Sequence, residues 1–197
     1  MKSRTLNLCA VAGICSLLGV SLLVSSSHSQ TKKDYQSELV SDGLQMSVSL
    51  ARSDKVDSPA FQVALQNVGE KDVTLNLGTM LANGKVQLPE NIRLHLKDAT
   101  GKIRELHFSD KRYPGVAGRV DDYVVPLRVG STYSLLLKLE QFWSPETKEF
   151  VLKLKPGKYQ VSAQFEGSGS LIRNEEMALI LNFWKGKLQS NTLSFER

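Results

Sequence analysis

The sequence predicts an all-β chain folded as an antiparallel β-sandwich, and three observations carry the prediction. Apolar residues recur at every second position in a series of short runs, the mark of strands with one buried and one wet face. Gly, Pro and Asn turn chemistry separates these runs. No stretch holds the 3.6-residue period of a long amphipathic helix; the best window, 175–181, is short and alternates equally well. Many short strands between tight turns point to a sandwich rather than a parallel α/β sheet.

The chain opens on a different pattern. Lys2 and Arg4 are the only charges in the first 31 residues, and an apolar run from Leu8 to Val24 follows. Small residues then lead to Ser27 and Ser29, two apart, as at a cleavage site. A basic start, a short apolar run and a small-residue exit predict a cleavable signal helix over residues 1–29. The alternatives are an uncleaved anchor, although this run is shorter and more dilute than the roughly 20 apolar residues of a spanning helix, and lipidation at Cys15, which has Ile14 rather than a small residue before it.

Removing that leader changes the composition. The full chain of 197 residues is 41% hydrophobic and 23% charged, with 25 basic residues, 20 acidic ones and two cysteines. Without Lys2 and Arg4, 23 basic residues face 20 acidic ones, so +5 becomes +3. Cys9 and Cys15 leave as well, which excludes a disulfide framework, a thiol nucleophile and a Cys-ligated metal in the remainder. What remains is long enough for one core, burying roughly 70% of its unfolded surface. Residues 30–43 are polar and read as a flexible lead-in, and 44–197 as one domain.

Within that domain Leu44, Met46, Val48 and Leu50 alternate with polar residues, as do Phe61, Val63 and Leu65. After the short Asn67-Val68-Gly69-Glu70 loop come Val73, Leu75 and Leu77. Asn83-Gly84 is a strong hairpin signal joining 80–82 to 85–87. Ile92, Leu94 and Leu96 meet a return strand across the Asp98-Ala99-Thr100-Gly101 turn. Pairs summing to 200 then put Leu94, Leu106 and Phe108 inside, and Arg93, His95, Lys97, Glu105 and His107 outside. Later runs are Tyr133/Leu135/Leu137/Leu139, Phe150/Leu152/Leu154, Tyr159/Val161/Ala163/Phe165 and Leu193/Phe195. Gly157-Lys158-Tyr159 at the start of a late strand has the form of a tyrosine corner, the hydroxyl bonding to backbone upstream.

Phe61-Gln-Val-Ala-Leu-Gln-Asn-Val-Gly-Glu-Lys-Asp-Val-Thr-Leu resembles the opening hairpin of bacterial exported immunoglobulin-like modules. Leu96-Lys-Asp-Ala-Thr-Gly-Lys, Pro156-Gly-Lys-Tyr-Gln-Val-Ser-Ala-Gln-Phe and the tail Trp184-Lys-Gly-Lys-Leu-Gln-Ser-Asn-Thr-Leu-Ser-Phe are similar to the same uncharacterised group. The opening pattern also resembles proteinase-inhibitor-like BsuPI modules, though no reactive-loop motif is present. The resemblance implies an immunoglobulin-like sandwich and an exported protein, and assigns no site.

Catalytic motifs are absent from the sequence. No Gly-x-Ser-x-Gly elbow, His-Glu-x-x-His, phosphate loop or Gly-x-Gly-x-x-Gly occurs, and Gly167-Ser168-Gly169-Ser170 reads as loop composition. His95 and His107 with Glu105 form a conceivable zinc set, opposed by Arg93 and Lys97, so a solvated face is the simpler reading. Asp121-Asp122 and Glu175-Glu176 are adjacent, and adjacent side chains on an extended backbone diverge. Asp110, Asp121 and Asp122 lack the spacing of a calcium loop. Basic residues are interleaved with acidic ones, unlike a nucleic-acid face.

The irregular stretch 109–126 is long for a connection in a compact domain. It concentrates Tyr113, Arg119, Asp121, Asp122 and Tyr123, side chains suited to polar or protein contacts; an Arg119–carboxylate clamp in a tucked connection would use them structurally. Phe142-Trp143 adds a second candidate in Trp143, while Trp184 fits a core position. The sequence therefore predicts an exported, non-catalytic binding or structural module, periplasmic or extracellular, making protein–protein contacts through this stretch or an edge strand. Alternatives are a carbohydrate-binding module using Tyr113, Tyr123 and Trp143, and a proteinase inhibitor. No cofactor, metal or nucleic acid is expected, and membrane contact only if the leader stays attached.

Overall fold

The structure, a computed structural model, describes residues 40–52, 59–108, 119–148, 152–169 and 182–197. The predicted signal helix, Tyr113, Asp110, Phe150 and the 175–181 window lie outside the described residues.

The described chain is built of antiparallel strands, as the alternation predicts. One sheet has the order β1 (Val40–Ser41), β2 (Leu44–Ala51), β3 (Ala60–Asn67) and β9 (Thr132–Lys138). A second runs β10 (Phe142–Trp143), β7 (Ile103–Phe108), β6 (Ile92–Lys97), β11 (Lys158–Gly167) and β12 (Gly186–Gln189), with β13 (Leu193–Glu196) also on β11. A third is β5 (Val86–Leu88), β4 (Val73–Leu81) and β8 (Asp121–Leu127).

The core forms where the inward residues of these sheets meet. Met46, Val48, Phe61, Val63 and Leu65 face Leu94, Leu96, Val161, Ala163 and Phe195, all buried in one cluster. Phe61 meets Phe195 edge-on at 5.4 Å, and Tyr159 stacks on Phe195 at 5.7 Å. The Tyr159 hydroxyl donates to the Lys155 carbonyl across 2.9 Å, which is the tyrosine corner expected of an immunoglobulin-like sandwich. Trp184 is buried, stacked on Phe165 at 5.5 Å, and its indole N–H donates to Ser41.

The β6–β7 hairpin has the predicted register: Arg93 lies opposite His107, and Leu94 opposite Leu106. Asp98 fixes its turn by accepting from the Thr100 amide and hydroxyl and from the Lys102 amide. The Thr100 hydroxyl chiefly, with those amides, holds the Asp98 carboxyl below the usual aspartate range.

Three expectations are corrected. Residues 61–75 are not a hairpin, because β3 pairs with β2 and β9 whereas β4 pairs with β5 and β8. The chain instead turns from one sheet into another at Asn67. Its side chain donates to the Lys71 and Leu127 carbonyls and accepts from the Gly69 amide. β9 makes the same crossing in reverse after β8, so the β3·β9 and β4·β8 ladders are one bent ribbon that pairs Gln66 with Thr132 and Val73 with Leu127. Second, Leu152 and Leu154 lie outside any strand, although Leu154 is buried. Third, Leu50 continues the alternation of β2 yet is exposed.

β4 also departs from simple alternation, since Thr74, Leu75, Asn76 and Leu77 are all buried. Phe183 bridges to Thr74, and the Asn76 amide donates to Gly169, so the second side of this strand is covered too. The ladder with β8 shifts register between Asn76 and Thr79. Gly78 occupies that bulge at φ +141°, where a Cβ would collide with the Leu88 carbonyl.

Candidate functional site

The edges of the sheets determine where a partner strand can be added, because an edge strand presents unpaired N–H and C=O groups. On one side the sandwich is stitched shut. β1 covers the start of β2, and Asn191 then behaves as a strand residue: its side chain accepts from the Val48 amide at 2.9 Å and donates to the Val48 carbonyl at 3.1 Å. Elsewhere β5 has three residues, β10 two, and β12 and β13 four each. β8 carries Asp121, Asp122 and Pro126, residue types that protect an edge.

β9 lacks such protection. Its seven residues contain neither proline nor charge before Lys138, and Leu136 is 57% exposed. The bonds Asn67 N–H to Ser131 O and Leu139 N–H to Pro59 O bracket its ladder with β3. Hydrogen-bonded pairs alternate along an antiparallel ladder, so Tyr133, Leu135 and Leu137 bond to β3 while the backbone groups of Ser134 and Leu136 point away. The Lys138 amide confirms this parity, for it points outward and donates to the Gln141 side chain at 2.7 Å.

Beside this edge lies a groove of about 270 Å³, lined by Gln87, Pro89, Phe108, Tyr123, Tyr133 and Gln141 together with residues 134–137 of β9. None of these lining side chains is charged. At its wall the Tyr123 hydroxyl donates to Gln87 Oε1 at 3.0 Å and meets the Tyr133 hydroxyl at 2.6 Å, so Tyr133 donates to Tyr123. Burial, reinforced by the Tyr133 hydroxyl, pushes the Tyr123 phenol above its ordinary value.

The residues singled out in the sequence divide between surfaces. Arg119 pairs with Asp121 at the start of β8 while its side chain stays largely exposed. Asp122 follows on the same strand. Tyr123 is only 3% exposed and hydrogen-bonded inside the groove, so its ring is a wall and not a platform for a sugar. Trp143 lies elsewhere, half-buried on the outer face of the second sheet, where its ring meets His107 edge-on at 6.2 Å. The structure does not gather Tyr123 and Trp143 into one surface.

That outer face carries an ion network across its strands. His107 Nε2 lies 2.7 Å and Arg93 3.1 Å from the same Glu105 oxygen, Arg93 reaches Glu166 at 3.6 Å, and Lys187 reaches Glu166 at 3.7 Å. Burial alone would raise the Glu105 carboxyl, but the His107 hydrogen bond and the charges of Arg93 and the two histidines outweigh it and hold the group below its usual range. Glu105 is thereby engaged by cations, and no group of three His, Cys, Asp or Glu residues suited to a metal occurs among the described residues. Among those residues, no helix is long and apolar enough to cross a membrane.

No family model matches the chain, and no curated protein matches it. Among solved structures, an X-ray structure of a Northeast Structural Genomics Consortium target is similar over 80% of this chain and 88% of that one, at 12% identity and a TM-score of 0.37.

Proposed function

We propose that the chain is an exported, non-catalytic protein-binding module that takes an extended segment of its partner onto β9. The observation that supports this reading is the contrast among edges of the described residues: there β9 is long, uncharged through Leu137 and open, whereas the other edges are short, capped or guarded. A strand laid along β9 takes hydrogen bonds from Ser134 and Leu136, and its inward side chains enter the neutral groove beside Tyr123 and Tyr133. The partner segment is accordingly uncharged and rich in β-formers.

Leu136→Pro tests the reading, because it removes an outward N–H while the β3 ladder uses the odd positions. Phage-displayed peptides selected on the native chain are expected to be extended, apolar-alternating sequences that bind the native protein and fail to bind Leu136→Pro at unchanged melting temperature. Failure to enrich any peptide, or equal binding by the variant, overturns strand addition. Export is read separately: the chain recovered outside the cytoplasm should begin at Gln30, and a chain retained inside with Met1 intact contradicts the leader.

A further inference from the structure

The outer face of the second sheet carries a second surface with different chemistry, independent of the β9 edge. Two cavities there, of about 830 and 220 Å³, share Lys97 and Gln160 and so run into one another. The larger is bounded by the Asp98–Gly101 turn, Lys158, Ser194 and Glu196, and it reaches Tyr159 and Phe195 at the strand ends. The smaller is bounded by His95, Ser162, Gln189 and Thr192.

The smaller cavity exists because the last strand of this sheet is interrupted. β12 pairs with β11 as far as Gln164↔Gln189, and β13 resumes at Val161↔Leu193. The gap leaves a notch beside Ser162, whose neighbour on the other side is His95. His95 Nε2 is buried and has no hydrogen-bond partner among the described residues. The side chains of Gln160, Ser162, Gln189, Thr192 and Ser194 likewise engage no described residue in a hydrogen bond. Native structures leave few buried polar atoms orphaned, so the orphaned imidazole nitrogen is the marker of a site, and the exposed Gln160, Thr192 and Ser194 beside it present free donors and acceptors to a ligand rich in both.

Charge narrows the ligand class. Lys97 and Lys158 are balanced by Asp98 and Glu196, and Asp98 is already bonded within its own turn. A phosphate or polyanion would need a net positive groove, a divalent cation would need converging carboxylates, and an apolar ligand would leave Nε2 unsatisfied. A neutral chain of hydroxyl-bearing rings satisfies all three conditions. We propose that this groove binds a neutral oligosaccharide, with His95 and Ser162 holding hydroxyls of one sugar in the notch and Gln160 and Lys97 receiving the next.

The test titrates the full chain with neutral tetrasaccharides built on glucose, galactose, mannose and N-acetylglucosamine, following the imidazole resonances of His95 and His107 and the heat of binding. At least one sugar should move His95 and leave His107 in place. The Gln160→Ala/Ser162→Ala double variant should lose about tenfold or more in affinity, the loss of roughly one to two hydrogen bonds, whereas Leu136→Pro should bind the sugar normally. The inference is overturned if no sugar moves His95, if the double variant binds as the native chain does, or if binding moves His107 and Trp143 fluorescence instead.

Discussion

The side-chain amide of Asn67 donates to the carbonyl of Leu127 across 3.0 Å, tying together the two strands that leave one sheet for another at the same corner. Asn67 is fully buried, and the remaining bonds of its side chain hold the Lys71 carbonyl and the Gly69 amide. Replacing it by Leu leaves these groups without partners, each costing about 1–3 kcal/mol where water cannot reach. Asn67→Leu should therefore destabilise the fold by about 3 kcal/mol or more, seen as a lower urea midpoint at unchanged slope. A midpoint close to the native value would show that the corner is held by its backbone alone.

Tyr159→Phe separates the hydroxyl of the tyrosine corner from the ring. The ring keeps its stack on Phe195, and only the bond to Lys155 goes. The expected loss is about 1 kcal/mol, against about 3–5 kcal/mol for Tyr159→Ala, which also opens a cavity. Equal losses in the two variants would contradict this division.

Alkaline pH acts through Tyr123. Its phenol titrates higher in the folded chain than the ordinary 10.0, chiefly because of burial. Between the two values the folded state holds a proton that the unfolded state has released, so stability is complete below pH 10 and falls as pH rises above it. Tyr123→Phe should weaken this decline in urea titrations between pH 9 and pH 11; a decline as steep as that of the native chain would assign the effect to other groups.

At Gly78 the bulge of β4 combines a positive φ of +141° with a backbone neighbour that leaves no room for a Cβ. Gly78→Ala should cost about 3 kcal/mol through strain and forced separation from Leu88. Circular dichroism during heating reads the effect, and a melting point within a degree of the native value would refute it.

The open edge also has a solubility consequence. An uncharged strand without proline invites pairing between copies, so light scattering of concentrated native protein should grow faster than that of Leu136→Lys. If the lysine makes no difference, self-association does not pass through β9.

How much of this was legible depended on the range of the signal. The β6–β7 register followed from one turn and one alternation, and Tyr159 from a three-residue motif, because each is set by neighbours in sequence. The assignment of β3 and β4 to different sheets was not legible: Asn-x-Gly after an alternating strand reads the same whether the chain folds back or arches across. Asn191 was equally opaque, since nothing local shows that its side chain will pair with Val48, 143 residues away. Gln160, Ser162 and Gln189 appeared only as the polar half of an alternation, and their meaning arises from the notch that the break between β12 and β13 creates. Tyr123 looked like a loop tyrosine and proved to be a wall, because the strand that buries it begins at Asp121.

The bent ribbon determines the order in which the chain can fold. β3 finds its second neighbour only when residues 132–138 exist, and β6 finds its own only at 160–165. Before then the chain can close the β2–β3 and β6–β7 pairs, which as isolated two-stranded units are marginal in water, and the three-stranded β5–β4–β8 sheet, which is complete at Leu127. The long-range closures that complete the two larger sheets are therefore met late in the chain. As it leaves the ribosome the molecule can pair only what has emerged, and the inner strands β3 and β6 of those sheets keep one side open until residues 132–138 and 158–167 have been made.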